Sequence, residues 1–507
     1  MNNFDLNTAS AVEISKQIME KNISVKEAAM HIINERNSQD SVLNAFLSFD
    51  ADRMIDDAEI LQGKINIGNC KSALAGIPVA AKDNICAKGV PTTCGSKMLE
   101  NFIPPYSATV IDKMQDNCMF LAGKCNMDEF AMGSTTETSY FGQTKNPWNT
   151  SFSPGGSSGG SATAVASGMA FCALGSDTGG SIRQPASFCG ITGLKPTYGS
   201  VSRFGLIAYA SSLDQIGPLA RNVEDCAALF DRIQGADIKD STCITTKTSD
   251  YYKNLTVFLE ENYDISNPLK GMRIGIPQEY ISEGIHDEVK ESIMDTAKKF
   301  ESLGAVCEMF SMPMVRYAVP VYYILASAEA SSNLSRYDGI KYGTRAKNVD
   351  DLSELYVKTR TENFGNEVAR RILLGSFVLS SGYFDAYYQT ALKVKGRIKK
   401  EFDQAFMKYD AIISPTSPDT APRLGESLSD PLKMYLNDIY TVSVNLAGIP
   451  AMSIPCGFDS GKMPIGVQLI GNAFEEDTLF RIGAVFQQHT SFHLQKPPIC
   501  CKQEGEI

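Results

Sequence analysis

The spacing of hydrophobic positions changes along the chain and marks off an N-terminal segment. Through residues 1–65, apolar residues recur at helical intervals, as in AVEISKQIM and KEAAMHII. Ser10 with Glu13, and Ser24 with Glu27, have the spacing of capping boxes, which begin helices. We therefore predict an N-terminal helical segment that packs on the rest of the protein.

Short apolar runs dominate residues 66–495, and stretches of helical spacing separate them, as over 286–303 and 385–408. This alternation predicts an α/β domain with a large mixed β-sheet covered by helices on both faces. Residues 496–507 are polar and predict a flexible tail. The predicted strands are GIPVAA (76–81), CMFLAG (118–123), FCALG (171–175), MRIGIP (272–277), AIISP (411–415) and PIGVQLIG (464–471).

Composition narrows the possible functions of this 507-residue chain. Its net charge of −11 makes it a poor stand-alone nucleic-acid binder, because phosphate contacts need clustered basic residues. The 13 cysteines include no CxxC pair, and the four histidines form no HExxH motif, so we expect reduced thiols and no metal. The sequence contains no secretory signal and no membrane-spanning stretch, which predicts a cytoplasmic protein.

Two glycine-rich runs are candidates for a chemical role. GGSSGGS (155–161) is either a flexible linker or a structured turn that leads into the helix of SATAVASGMA. GSDTGGSIRQP (175–185) follows the strand FCALG and predicts a turn that places Ser181 at a helix N-terminus. Ser181 is then either a simple N-cap or a nucleophile. In the second case, an oxyanion hole is expected from the backbone N–H groups of Thr178, Gly179, Gly180 and Ser181.

A nucleophilic serine needs a base to accept its proton. None of the four histidines lies at a strand end or in a turn of the predicted fold. Lys82 directly follows the apolar run GIPVAA, and burial there would favour its neutral, basic form. The alternative is an ordinary surface lysine whose ammonium reaches solvent.

The segments GIPVAAKDN, PGGSSGGSA and GSDTGGSIRQP, in this order, resemble the amidase signature family. The resemblance implies the amidase signature fold and a Ser–Ser–Lys triad made of Ser181, Ser157 and Lys82. Ser181 would attack an amide carbonyl and form an acyl-enzyme, while Ser157 passes the proton to neutral Lys82. It also implies a cis peptide bond at Ser157.

Further segments are similar to one branch of this family, the A subunits of aminoacyl-tRNA amidotransferases. They are NMDEFAMGSTTETSYFG (126–142), KPTYGSVSRFGLIAYASSLDQIGP (195–218), ASSNLSRYDGIKYG (330–343) and TVSVNLAGIPAMSIPCG (441–457). The branch implies a glutaminase that supplies ammonia for amidation of Glu-tRNA(Gln), and possibly Asp-tRNA(Asn). It implies B and C subunits as partners, aminoacyl-tRNA bound through the complex, ATP and Mg on the B subunit, and no cofactor on this chain.

The same resemblance assigns Tyr322, Arg371 and Asp438 to the amino-acid end of glutamine. An arginine pairs with an α-carboxylate, and a carboxylate pairs with an α-ammonium. The alternatives are a surface ion pair for Arg371 and a helix-face charge for Asp438. Two other functions stay open: a stand-alone amidase of small or lipid amides, and a non-catalytic scaffold.

Overall fold

The computed structural model describes residues 4–244, 248–262, 265–282, 284–429 and 431–501. Its centre is one 11-stranded sheet. The strands are β1 (Phe46–Ser48), β2 (Pro78–Lys82), β3 (Phe120–Cys125), β4 (Cys172–Asp177), β5 (Thr192–Lys195), β6 (Gln215–Ala220), β7 (Arg273–Pro277), β8 (Val306–Phe310), β9 (Ala411–Pro415), β10 (Ala451–Phe458) and β11 (Pro464–Ile470). Their order across the sheet is β1-β3-β2-β4-β6-β5-β10-β11-β9-β7-β8.

The sheet is mixed, as the sequence predicts. Strand β2 pairs in parallel with β3 and β4, and β7 pairs in parallel with β8 and β9. The strands between these two groups are antiparallel. Every residue of β2 and β4 is buried. Because successive side chains face opposite sides of a sheet, such burial requires a cover on both faces, and this confirms the predicted α/β architecture.

Helices of varied length form that cover and the surrounding surface. The α-helices are α1 (Ala11–Met19), α2 (Val25–Leu43), α3 (Ala51–Asn66), α4 (Thr109–Asp116), α5 (Gly159–Ala166), α6 (Arg183–Cys189), α7 (Val223–Ile233), α8 (Tyr251–Asn262), α9 (Asp287–Ser302), α10 (Ala318–Asn333), α11 (Leu352–Asn363), α12 (Asn366–Val378), α13 (Thr390–Ala405), α14 (Glu426–Ser429), α15 (Pro431–Leu436), α16 (Val442–Ala447) and α17 (Glu476–Gln488). Short 3₁₀ turns lie at Lys97–Leu99, Glu129–Ala131, Gln278–Tyr280, Pro313–Tyr317, Leu334–Arg336, Phe492–Leu494 and Pro498–Cys501, and Phe384–Gln389 is π-helical.

The N-terminal helices are attached to the sheet domain by buried hydrogen bonds. The backbone N–H groups of Ala11 and Val12, at the start of α1, donate to the carboxylate of Asp225 at 2.8 and 2.9 Å. The predicted capping boxes begin α1 and α2. One apolar core runs through both segments. The division into segments at residues 65 and 495 stays a prediction, and 502–507 of the predicted tail lie outside the described residues.

The six predicted strands are confirmed within two residues at each end, whereas β1, β5, β6, β8 and β10 were not predicted. Strand β1 interrupts the segment that was predicted to be helical, because Phe46 pairs with Cys125 on the edge of the sheet. The helix predicted over 286–303 is α9. The one predicted over 385–408 begins as the π-helix and continues as α13.

The cysteines differ from expectation at one place. Cys70 and Cys118 form a disulfide between the loop before β2 and the loop before β3, so the expectation of reduced thiols is wrong for this pair. Elsewhere, buried free thiols such as Cys172 and Cys226 fit that expectation. No helix in the described ranges combines the length and the apolar character needed to cross a membrane.

Candidate active site

The two glycine-rich runs and the last residue of β2 meet at the carboxyl ends of neighbouring strands in the sheet. Strands β2 and β4 are parallel neighbours, so their carboxyl ends lie side by side. Lys82 is the last residue of β2, and the GSDTGGSIRQP run begins in β4. The backbone N–H of Ser158 donates to the carbonyl of Ser181 at 3.2 Å. This hydrogen bond places the GGSSGGS run beside the loop that follows β4.

Lys82 is fully buried, and its ammonium nitrogen is surrounded by hydroxyl and carbonyl oxygens. Its Nζ lies 2.7 Å from Oγ of Ser157, 3.0 Å from Oγ of Ser176 and 3.2 Å from the Ser176 carbonyl. Burial lowers the pKa of Lys82 from 10.5 to about 7, although Asp128 and Asp177 act in the opposite direction. The surface-lysine alternative is therefore wrong, and Lys82 has a substantial neutral fraction near pH 7.

Ser157 lies in a rigid, buried turn. All residues of 155–161 are buried, so the flexible-linker alternative is wrong. The peptide bond between Gly156 and Ser157 is cis, as the family resemblance implies. The Ser157 hydroxyl accepts a hydrogen bond from Lys82, and helix α5 begins two residues later. This geometry allows the Ser157 hydroxyl to pass a proton to the lysine.

Ser181 precedes the helix that was predicted to begin with it. Helix α6 starts at Arg183 and its N-cap position is Ile182, so the N-cap alternative for Ser181 is wrong. Ser181 retains 7% of its surface exposed, whereas Lys82 and Ser157 have none. A nucleophile must be reached by its substrate, and Ser181 alone of the three predicted catalytic residues meets that requirement.

A buried ion pair fixes the loop between β4 and α6. The carboxylate of Asp177 accepts hydrogen bonds from both Nε and Nη2 of Arg183 at 2.9 Å. Burial acts to raise the pKa of Asp177, but the adjacent guanidinium lowers it to about 2. Asp177 also accepts the backbone N–H groups of Gly180 and Ile182. The loop is thus held in one conformation by a carboxylate that stays ionised.

This arrangement corrects the predicted oxyanion hole. The Gly180 N–H donates to Oδ1 of Asp177 at 2.8 Å, so it is not available to a developing oxyanion. Within the described chain, the N–H groups of Thr178, Gly179 and Ser181 make no hydrogen bond. We therefore restrict the predicted oxyanion-hole donors to Thr178, Gly179 and Ser181.

Tyr322, on α10, packs directly against the nucleophile loop, which we define as residues 178–182. A Cβ atom on Gly179 would lie 2.6 Å from the phenol oxygen of Tyr322, so only glycine fits there. Tyr322 is buried. The structure thus places this predicted substrate-binding residue next to the predicted nucleophile.

Arg371 lies on α12 with its side chain buried, which excludes the surface ion pair considered from sequence. Its Nε donates to Oε1 of Glu367 at 2.7 Å, one turn earlier on the same helix. Its Nη1 donates to the Tyr209 hydroxyl at 2.6 Å, and the ring of Tyr323 lies 5.1 Å from the guanidinium carbon. Nη2 donates to no residue in the ranges that the structure describes, which leaves it for a ligand carboxylate.

Asp438 lies in the short segment between α15 and α16 and is buried, so it is not a helix-face charge. Its Oδ2 accepts hydrogen bonds from Ser134 Oγ at 2.9 Å and from the Tyr323 hydroxyl at 3.2 Å. Burial raises its pKa to about 7, while these hydrogen bonds and Arg371 act to lower it. Tyr323 contacts both charged groups, so Arg371 and Asp438 lie against the same side chain.

Contacts that the sequence analysis missed join this pair to the nucleophile loop. Thr441 Oγ1 donates to the Gly179 carbonyl at 2.6 Å, and the Thr441 N–H donates to the Asp438 carbonyl. On the other side, Asp214 accepts the Thr178 hydroxyl at 2.7 Å and the backbone N–H of Tyr209. Ser134, Tyr209 and Thr441 all lie in segments that carried the family resemblance, but nothing local marked their roles.

The arrangement supports amide hydrolysis by serine. A buried lysine that is partly neutral contacts one serine, a partly exposed second serine lies in the adjacent loop, and free N–H groups flank it. Opposite charges nearby favour a zwitterionic amino acid over an apolar amide. Among the residues that the structure describes, no group of His, Cys, Asp and Glu is arranged to hold a metal ion.

Comparisons with known proteins agree with this chemistry. The chain is 54% identical over 484 residues to the A subunit of glutamyl-tRNA(Gln) amidotransferase from Agathobacter rectalis, covering 96% of this chain and 94% of that protein. It is also 54% identical over 492 residues to the protein of that name from Lachnoclostridium phytofermentans, covering 96% and 98%.

Solved structures of related proteins have the same fold. The crystal structure of the glutamyl-tRNA(Gln) amidotransferase A subunit from Thermotoga maritima superimposes with a TM-score of 0.77 at 40% identity, covering 96% of each chain. A bacterial aryl acylamidase shares the fold alone, with a TM-score of 0.83 at 23% identity, covering 98% of this chain and 99% of that one. Residues 27–480 match the sequence profile described as Amidase, and the chain belongs to the amidase family.

Proposed function

We propose that this protein is the glutamine-hydrolysing A subunit of a tRNA-dependent amidotransferase. The observation that carries the proposal is the placement of Arg371 and Asp438, which both contact Tyr323. Arg371 is linked to Thr178 of the nucleophile loop through Tyr209 and Asp214. Asp438 is linked to Gly179 of the same loop through Thr441. A guanidinium and a carboxylate at this position fit the α-carboxylate and α-ammonium of glutamine, with its side-chain amide directed at Ser181.

Hydrolysis begins with attack on the glutamine amide. The Ser181 oxygen bonds to the carbonyl carbon while its proton passes through the Ser157 hydroxyl to neutral Lys82. The N–H groups of Thr178, Gly179 and Ser181 stabilise the negative charge that develops on the carbonyl oxygen. The proton then returns from Lys82 through Ser157 to the leaving nitrogen, which departs as ammonia and leaves a γ-glutamyl ester on Ser181.

A water molecule completes the cycle. It attacks the ester carbonyl while Lys82, again neutral, accepts a proton through Ser157. Ser181 leaves as the alcohol after it recovers that proton, and glutamate is released. The net reaction converts glutamine and water into glutamate and ammonia, with no change in the enzyme.

In this proposal, the released ammonia is used by partner subunits to amidate an aminoacyl-tRNA. The relatives from Agathobacter and Lachnoclostridium are named as A subunits of glutamyl-tRNA(Gln) amidotransferase. We propose that this chain assembles with B and C subunits in the cytoplasm, and that the B subunit binds ATP, Mg and the aminoacyl-tRNA. Glu-tRNA(Gln) is the proposed acceptor, with Asp-tRNA(Asn) as a second one to be tested.

An exposed apolar surface supports assembly with another protein. The side chains of Leu373, Phe377, Tyr383, Phe384 and Tyr387 are all exposed, and we call this set the 373–387 patch. The rings of Phe377 and Tyr383 lie 4.2 Å apart between their centres. Exposed apolar clusters on soluble proteins mark interaction sites. The patch begins on α12, the helix that carries Arg371, so a partner bound there would lie near the source of ammonia.

Co-expression tests the proposed function. The full chain is co-expressed with candidate B and C subunits and separated by gel filtration, and the complex is supplied with glutamine, ATP, Mg and Glu-tRNA(Gln). We expect co-elution and glutamine-dependent formation of Gln-tRNA(Gln). A chain that hydrolyses bulky apolar amides faster than glutamine, with or without the partners, would instead be a stand-alone amidase. Loss of all amide hydrolysis would indicate a scaffold.

A further inference from the structure

Glu129 is a buried carboxylate that the proposed mechanism does not use. It lies in the 3₁₀ turn after β3, and its side chain forms no salt bridge within the described ranges. Its Oε1 accepts a hydrogen bond from the Ser96 hydroxyl, and its Oε2 accepts the backbone N–H of Gly365 at 2.8 Å. Burial raises the pKa of Glu129 to about 7, although both hydrogen bonds act to lower it.

Gly365 is the N-cap residue of α12, so Glu129 contacts the start of the helix that carries Arg371. Gly365 has no side chain with which to cap the helix, and the carboxylate of Glu129 instead accepts the backbone N–H of Gly365 itself, one of the N–H groups that a helix start leaves unpaired. The fit is close, because a Cβ atom on Gly365 would overlap Oε2 of Glu129. Glu129 therefore contributes directly to the position of the first turn of α12.

The first turn of α12 in turn sets the position of Arg371. Glu367 lies two residues after Gly365, and its Oε1 accepts the Arg371 Nε–H at 2.7 Å. The Tyr435 hydroxyl donates to the same oxygen at 3.1 Å. Movement of the helix start therefore displaces Glu367, and with it the guanidinium that Glu367 orients.

A cavity beside this contact gives the helix start room to move. It has a volume of about 340 Å³, and its walls include Glu129, Gly365, Glu367 and Arg370. Open space adjoins the first turn on this side, so the turn is not enclosed by side chains there. The hydrogen bond from the Gly365 N–H to Glu129 is then one of the contacts that hold the start of α12 in place.

We propose that Glu129 is a positioning residue that holds the N-terminus of α12 so that Arg371 meets the α-carboxylate of the substrate. The inference rests on the proposed function, because it assigns the residue to binding one charged group of glutamine. The proposal predicts that disturbing Glu129 lowers kcat/KM for substrates that carry the α-carboxylate and leaves kcat/KM nearly unchanged for substrates that lack it.

Three amides separate the two charges of glutamine. Glutamine has both, glutaramate has the carboxylate without the ammonium, and 4-aminobutanamide has the ammonium without the carboxylate. The full chain, co-expressed with its partner subunits, is assayed for ammonia release from each. Wild type without glutaminase activity would overturn the proposed function, and this outcome is distinct from any effect of the variants below.

Glu129→Ala removes both hydrogen bonds. We expect kcat/KM to fall at least about tenfold for glutamine and glutaramate, mainly through KM, and to stay within about threefold for 4-aminobutanamide. Glu129→Gln should restore activity on glutamine to within about threefold, because its amide oxygen can still accept from Gly365 while its NH₂ faces Ser96. An equal loss on all three amides would show a merely structural role and overturn the proposal.

Gly365→Ala disturbs the same hydrogen bond through the donor residue. It provides a second test in case Glu129→Ala does not fold. Its backbone φ of −72° suits alanine, so the Cβ contact with Glu129 is the main disturbance. Gly396→Ala on α13 is the matched control, since a Cβ there meets nothing within 4 Å. We expect Gly365→Ala to show the same carboxylate-selective loss and Gly396→Ala none. A Gly365→Ala enzyme that behaves as wild type, or a Glu129→Gln enzyme as impaired as Glu129→Ala, would overturn the proposal.

Discussion

Lys82 Nζ lies 2.7 Å from the Ser157 hydroxyl, and neither side chain has any surface open to solvent. The proposed proton transfer between them would therefore take place in a site that excludes bulk water, where the charged form of lysine is disfavoured. Ser181, the remaining predicted catalytic residue, keeps the accessible surface. In the proposed triad, proton transfer is therefore buried and substrate attack is open to solvent.

Substitution of Lys82 tests its role as a base. Lys82→Arg keeps a positive charge, but arginine does not lose its proton in a protein, so it cannot accept one from Ser157. We expect Lys82→Arg and Lys82→Ala both to lower kcat for glutamine hydrolysis by roughly 10²–10⁴-fold. Steady-state ammonia release measures the effect. A Lys82→Arg enzyme with near wild-type activity would show that the lysine acts only as a cation.

The pH dependence follows from two buried groups. Lys82 must be neutral to act, and its pKa is about 7, so activity falls as the pH drops through that value. Asp438 must be ionised to bind an ammonium, and its pKa is also about 7, so glutamine binding falls over the same range. We expect kcat/KM below pH 7 to fall more steeply for glutamine than for glutaramate, by up to about tenfold per pH unit. Parallel profiles would contradict the role of Asp438.

Removal of the nucleophile separates the two proposed half-reactions. Ser181→Ala should lower glutamine hydrolysis by about 10⁴–10⁶-fold, because no oxygen remains to form the ester. Amidation of Glu-tRNA(Gln) by the assembled complex should survive when ammonium chloride replaces glutamine, since only the ammonia source is lost. If both activities are lost while the complex stays intact by gel filtration, Ser181 is needed for more than glutamine hydrolysis.

The 373–387 patch predicts a surface needed for assembly. Replacing both Phe377 and Tyr383 with serine removes two exposed rings, and we expect at least about a tenfold weaker association with the partner subunits. Gel filtration at several protein concentrations measures this. Ile238→Ser is the control, because Ile238 is also exposed but lies outside the patch. If the double variant and the Ile238→Ser control weaken association equally, general surface hydrophobicity, and not this patch, governs assembly.

The sequence predicted the parts of this protein that local patterns determine. Strands β2 and β4 begin with the short apolar runs PVAA and CAL, so burial on both faces was visible in them. Strand β5 (TGLK) has a single large apolar residue, β6 (QIGPLA) has no run of more than two, and β8 is only partly buried, so their apolar signal is weak. These strands exist because neighbouring strands supply their hydrogen bonds, which is a tertiary effect.

In the candidate site too, some residues were predictable from local patterns, whereas others are brought together only by the tertiary fold. Lys82, Ser157 and Ser181 stand in motifs whose order identified them, and the Glu367–Arg371 pair has the i,i+4 spacing of a helix-face ion pair. The contact of Asp177 with the Gly180 N–H was also open to prediction, because Asp side chains commonly accept nearby backbone N–H groups in turns. Ser134 and Asp438 are 304 residues apart, and no local pattern relates them.

Substrate choice tests the Arg371–Asp438 pair directly. Loss of a charge-assisted hydrogen bond that leaves its partner unpaired in a buried site costs about 2–5 kcal/mol. Removing either charge from glutamine should therefore lower kcat/KM of the wild-type enzyme by about 30-fold to several-thousand-fold. Glutaramate and 4-aminobutanamide supply the two single-charge substrates.

The Asp438→Asn variant tests whether Asp438 binds the α-ammonium of glutamine. Asparagine keeps an oxygen that can accept from Ser134 and Tyr323, so the pocket retains its hydrogen bonds while the negative charge is lost. We expect this variant to lose most of its activity on glutamine but to change less than about threefold on glutaramate, which has no ammonium to bind. Ser134→Ala should produce a smaller loss with the same selectivity, because it removes one hydrogen bond from the carboxylate. Equal losses on glutamine and glutaramate would place the ammonium elsewhere and remove the main support for a glutaminase subunit.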